Sequence, residues 1–179
     1  MPRLFTGLEI PFEIGFALSL KRGGLVGARW IDPENYHITL RYIGDIDRRT
    51  AGEAADALER FGAAEPFEVT IDHLGVFGGN KPRALYAGVA PNEALNRLQG
   101  AHERALQRAG LPPDGRKFIP HVTLARLRDT PAQDLAAHIA QAGHFVALKF
   151  IVTRAVLYSS RDSIGGGPYV VEEEFPFAA

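Results

Sequence analysis

The feature that most constrains the fold is a short pattern written twice. Asn35-Tyr36-His37-Ile38-Thr39-Leu40-Arg41 and Ile119-Pro120-His121-Val122-Thr123-Leu124-Ala125 share His-apolar-Thr-Leu. With 6 His, 7 Thr and 18 Leu in 179 residues, shuffling yields about 0.02 copies, so two are not an accident of composition. Successive side chains of a strand point to opposite faces. His37 and Thr39 therefore share one face while Ile38 and Leu40 share the other, and the second copy behaves alike. Each copy reads as a strand with one face set in a core and an imidazole and hydroxyl on the other. If the strands are related by a pseudo-twofold axis, two imidazoles and two hydroxyls surround one anion-sized space.

The rest of the chain supplies elements in a repeating order. Leu4, Thr6, Leu8 and Ile10 alternate up to Pro11, a first strand, and residues 11–21 read as a helix before the basic loop Lys21-Arg22-Gly23-Gly24. Tyr36–Ile43 is a strand, 47–62 a helix with Ala51, Ala54, Ala55 and Leu58 at helical spacing, and 67–77 with 84–89 a long hairpin. Pro91 and Asn92 open a helix that carries Leu95, Leu98, Leu106 and Ala109 as far as Gly110. Strand 118–127, helix 131–143 and strands 145–158 and 169–175 follow. This order predicts an α+β fold of two pseudo-symmetric lobes, mainly antiparallel sheet with outer helices and a groove between them. Residues 1–179 are expected to form a single bilobal domain.

Composition narrows the function. Twenty basic against 21 acidic side chains leave a net charge of −1, which argues against coating long nucleic acid but allows a local phosphate site. The absence of cysteine excludes disulfides, thiolate nucleophiles and cysteine-ligated zinc. The N-terminal stretch lacks a leader pattern, and no window approaches 18 uninterrupted apolar residues. The expectation is a cytoplasmic protein with no membrane partner.

Two histidines and two threonines suit phosphodiester cleavage. Attacking water must lose a proton and the leaving ribose oxygen must gain one. With an ordinary pKa near ~6.5, one imidazole can be neutral while the other is protonated. The hydroxyls of Thr39 and Thr123 can donate to the non-bridging phosphoryl oxygens. No metal or other cofactor is required. His73, His102, His138 and His144 stand outside any such pattern and read as structural or surface residues.

These motifs carry a resemblance. Trp30-Ile31-Asp32-Pro33-Glu34-Asn35-Tyr36-His37 through Gly44 and Phe118-Ile119-Pro120-His121 through Arg126 resemble the two signatures of the bacterial and archaeal RNA 2′,3′-cyclic phosphodiesterases. These are the LigT-like 2′-5′ RNA ligases of the two-histidine (2H) phosphoesterase superfamily. Arg3-Leu4-Phe5, Ile10-Pro11, Leu157-Tyr158-Ser159-Ser160 and Gly167-Pro168-Tyr169 extend the likeness nearly end to end. The resemblance implies hydrolysis of a 2′,3′-cyclic phosphate to a 2′-phosphomonoester, with His37 as proton donor to the 3′-oxygen and His121 as proton acceptor from water. It also implies weak, reversible 2′-5′ joining of RNA ends. The chain departs from the family at Ile119, where many relatives carry a basic residue, and at Thr6-Gly7-Leu8-Glu9.

Supporting residues follow by position. Arg41, four residues past His37 on the matching face, is the simplest phosphate ligand. Arg126 fits the second signature but needs a bulge to reach the face of His121. Phe5, Tyr36, Trp30 and Phe118 are candidates to stack on a base. The expected partner is an RNA end or nucleotide bearing a 2′,3′-cyclic phosphate, and the expected state is a monomer. Three alternatives remain open: a relative acting on another cyclic phosphate or a 2′-5′ oligonucleotide, an RNA-end binding module without turnover, and a histidine metal site. The last is the poorest, because 84 residues separate the two histidines and neither motif holds a carboxylate.

Overall fold

The computed structural model describes residues 3–142, 144–160 and 166–178. The elements run β1 (Arg3–Glu9), α1 (Phe12–Ser19), β2 (Ala28–Trp30), a 3-10 turn (Pro33–Asn35), β3 (His37–Asp45) and α2 (Arg48–Phe61). They continue with β4 (Phe67–Phe77), β5 (Ala84–Val89), α3 (Glu93–Arg108), β6 (His121–Leu127), α4 (Ala132–Ala142), β7 (Leu148–Val152), β8 (Arg154–Ser159) and β9 (Val170–Pro176). The expected hairpin is present as β4–β5. Asp47 and Asn92 cap α2 and α3, each side chain accepting a backbone N–H in the first turn. The strands form one antiparallel sheet in the order β7-β4-β5-β6-β3-β1-β8-β9, with β2 alongside β6. The fold is therefore α+β, as expected.

Two details differ from the sequence expectation. The stretch 145–158 is not one strand: Thr153 separates β7 from β8, which lie near opposite ends of the sheet. In a flat sheet those strands would stand about 29 Å apart, whereas a one-residue link spans only about 7 Å. The sheet must roll so that its two ends meet. The halves are also interleaved rather than consecutive. One contains β3, β1, β8 and β9, the other β6, β5, β4 and β7. Periodicity along the chain marks strands but carries no record of which strands become neighbours.

The seam between the halves is the pairing of Ile38 with Val122, the middle residues of the two motifs. Both side chains are fully buried in the central core with Leu8, Leu18, Leu95, Leu98 and Leu124. Burial of each contributes about 1.5–3 kcal/mol, enough to hold both strands in register. Helices α2 and α3 cover Leu4, Leu157 and Phe175. Leu135 and Ile139 of α4 cover Leu85, Ala125 and Leu127. The opposite face stays open along the seam. Among the described residues no helix is long and apolar enough to cross a membrane.

Candidate active site

Because Ile38 and Val122 point into the core, His37, Thr39, His121 and Thr123 point the other way and line one cavity of about 800 Å³. The local chain fixes each ring. His37 Nδ1 donates to the Asn35 carbonyl at 2.9 Å, and His121 Nδ1 donates to the Ile119 carbonyl at 2.6 Å. In both copies the acceptor is two residues upstream, in the turn or extended segment leading into the strand. A carbonyl accepts only, so each Nδ1 carries hydrogen and each Nε2 is left for chemistry. His37 Nε2 lies 3.0 Å from the Thr39 hydroxyl, which donates to the ring when it is neutral.

Burial lowers the pKa of both imidazoles. His37 falls to about 4, mainly through desolvation, opposed by its bond to Asn35 and reinforced by the charges of His121 and Arg126. His121 is lowered for the same first reason, with Arg126 adding to it. Burial thus favours the neutral form of both imidazoles near neutral pH, and His37 lies close enough to feel the charge of His121. Aromatic rings frame both. Phe5 and Tyr169 lie 4.9 Å from the His37 ring, and Phe77 and Tyr86 lie 4.8 and 5.3 Å from the His121 ring. Gly75 makes room for the second pair, since a Cβ there would overlap the Tyr86 ring.

The two arginines exchange the roles expected of them. In the pairing of β1 with β3, Thr6 opposes Arg41 and Gly7 opposes Thr39, which leaves Leu40 as an extra residue. This bulge reverses the alternation, so Arg41 turns away from His37 and is only 5% exposed. Its guanidinium pairs with Glu103 and donates to the Pro112 carbonyl. Arg41 is therefore not a phosphate ligand in the cleft. An equivalent bulge at Leu124 brings Arg126 onto the face of His121, where it lines the cavity. The bulge required for Arg126 exists.

The aromatic candidates separate as well. Tyr36 is 3% exposed and belongs to the core, and Trp30 packs on core residues and on His138. Neither lines the cleft. Phe5 lines it but is 5% exposed, its ring covered by His37 and Tyr158, so it supports the imidazole and offers no free face. Phe118 lines the cleft and is half-buried. His102 is buried against the Thr6 hydroxyl, a structural role. Sequence reasoning missed Tyr42, Tyr86 and Arg116, which also line the cavity or frame its imidazoles. Five cations (Arg3, Arg83, Arg116, Lys117 and Arg126) against one carboxylate, Asp114, stand around the cleft in a chain of net charge −1. Such focusing draws an anion to this place and not to the surface at large. Among the described residues no group of three or more His, Asp or Glu is arranged to hold a metal ion.

A rolled antiparallel sheet presenting two His-x-Thr pairs to one basic cleft defines a two-histidine phosphoesterase architecture, and comparison with known proteins places it. Residues 29–163 match the model of the 2′-5′ RNA ligase superfamily, and the chain belongs to that family. It is 31% identical over 183 aligned positions to an RNA 2′,3′-cyclic phosphodiesterase of Thermotoga maritima, covering 98% of this chain and 95% of the relative. The enzyme of the same name from Bacillus subtilis is 30% identical over 143 positions, covering 77% and 78%. Among solved structures, TT0787 of Thermus thermophilus matches with a TM-score of 0.78 at 25% identity, covering 98% of this chain and 97% of that one. E. coli LigT complexed with 3′-AMP shares the fold with a TM-score of 0.78 at 22% identity over the full length of both chains.

Proposed function

We propose that this protein is an RNA 2′,3′-cyclic phosphodiesterase, hydrolysing a cyclic phosphate end to a 2′-phosphomonoester. One observation carries the reading: two Nε2 atoms, each freed by a bond from Nδ1 to an upstream carbonyl, open on one cation-rich cleft. Water attacks phosphorus as His121 Nε2 takes its proton, the P–O3′ bond breaks, and His37 Nε2 gives a proton to O3′. Thr39, Thr123 and Arg126 hold the non-bridging oxygens, whose charge grows in the transition state. His37 needs a proton that burial disfavours, and a bound phosphate supplies the reason to gain one. A negative charge beside an imidazole raises its pKa.

Both proton transfers use side chains, so turnover should persist in excess EDTA. The test is incubation of a short RNA ending in a 2′,3′-cyclic phosphate, with the product identified by chromatography. A 2′-phosphate is expected. A 3′-phosphate, or activity that disappears with EDTA and returns with a divalent metal, overturns the reading. With a ribose 5′-hydroxyl in place of water, the same forward step forms a 2′-5′ phosphodiester as the P–O3′ bond breaks, weakly because water is in vast excess. Its reverse splits that linkage back to the cyclic phosphate. A monomeric, cytoplasmic enzyme acting as one bilobal domain belongs to the same proposal.

A further inference from the structure

The bulge that turns Arg126 into the cleft has a twin that turns Tyr42 into it, and Tyr42 has no part in the proton transfers. Its ring is 41% exposed, and the Arg116 guanidinium carbon lies 5.9 Å from its centre. That guanidinium is braced. Its Nε and Nη2 donate to the two carboxylate oxygens of Asp114 at 3.1 and 3.2 Å. The Asp114 backbone N–H donates to Glu103 at 2.8 Å, and Glu103 is the partner of the buried Arg41. Arg41 in turn donates to the carbonyls of Pro112 and Tyr42. The loop bearing Arg116 is thus tied to the strand end bearing Tyr42.

An exposed aromatic ring beside a fixed guanidinium is a surface on which an unpaired base stacks. Tyr42 stands five residues along β3 from His37, roughly 15 Å at the rise of a strand, on the wall of the same cleft. We propose that Tyr42 and Arg116 form a stacking platform for the base of the nucleotide preceding the cyclic-phosphate end. The inference rests on the phosphodiesterase reading and deepens it, making the protein an enzyme of RNA ends rather than of cyclic mononucleotides. Phe118, also on the cleft wall, lies within two residues of Arg116.

The test compares a cyclic mononucleotide with a dinucleotide carrying the same cyclic end. For the dinucleotide, Tyr42→Ala and Arg116→Ala should each lower kcat/KM about tenfold through KM, as removal of a stacking partner does. Tyr42→Ala should change the mononucleotide less than twofold. Arg116→Ala, which also removes one of the cations around the cleft, should lower it clearly less than it lowers the dinucleotide, and Tyr42→Phe should retain the dinucleotide activity. Equal losses on both substrates, or no loss on either, overturn the platform. If the wild-type protein turns over neither substrate, the phosphodiesterase reading fails. The platform is then judged by anisotropy of a labelled dinucleotide 2′-phosphate: weaker binding by Tyr42→Ala supports it, and unchanged binding overturns it.

Discussion

The two halves of the site start from the same five-residue logic and end differently. In both, the middle apolar residue is buried, the imidazole faces the cleft, Nδ1 is held by a carbonyl two residues back, and a bulge at the leucine follows. Beyond the bulge they part. The first strand carries a buried Arg41 and an exposed Tyr42, the second a buried Ala125 and an exposed Arg126. His37 Nε2 touches its threonine, while no such bond to Thr123 is drawn for His121 among the described residues. On the proposed reading the repeated part serves proton transfer, which is symmetric in its needs, and the part that differs serves a substrate with a phosphate on one side and bases on the other.

That division can be broken experimentally, beginning with the repeated part. His37→Ala and His121→Ala should each lower kcat by about 10²–10⁴-fold with melting temperatures close to wild type. A loss confined to one variant would end the claim that both imidazoles transfer protons. Next come the two arginines, which the halves use in opposite ways. Arg41→Ala removes a buried guanidinium and its bonds to Glu103, Tyr42 and Pro112, though Glu103 keeps those from Gln107 and Asp114, and should cost about 2 kcal/mol of stability. Arg126→Ala should leave the melt nearly unmoved and lower kcat/KM about 100-fold. Thermal melts and steady-state kinetics on the same two variants decide, and the opposite pattern would restore Arg41 as the phosphate ligand.

The pH profile sharpens the comparison further. In the free enzyme both imidazole pKa values lie below 6.5, so the singly protonated form disappears as pH rises past the lowered values. kcat/KM should therefore fall with rising pH on the acid side of neutrality. The bound phosphate raises the donor's pKa, which moves the descending limb of kcat to higher pH. Coincident limbs for kcat and kcat/KM would mean that no anion sits beside the donor. The smallest effect expected is on His37 itself. NMR titration of His121→Ala should show the His37 pKa rising only part of the way toward 6.5, because burial outweighs the charge of His121.

How much of this was legible beforehand depends on the range of the interaction. The α+β class, the hairpin, helices α2 and α3 and the cleft-facing side of His37, Thr39, His121 and Thr123 follow from strand and helix periodicity, which acts over a few residues. Tyr36 and Trp30 could not be told from cleft aromatics, since an aromatic on a strand suits a core and a ring-stacking wall equally. Arg41 misled for a sharper reason. Its face was inferred from ideal alternation, and one extra residue at Leu40 reverses that alternation.

The amino-acid sequence alone thus determined the two His-x-Thr pairs and the side of each strand on which they stand, because those choices are written in neighbouring residues. Only the tertiary structure decided which strands meet, where the bulges fall and which arginine enters the cleft. These depend on pairing between segments about 30 to 150 residues apart, such as β1 with β3 and with β8, β5 with β6, and Arg41 with Glu103. No local pattern encodes the partner of such a contact.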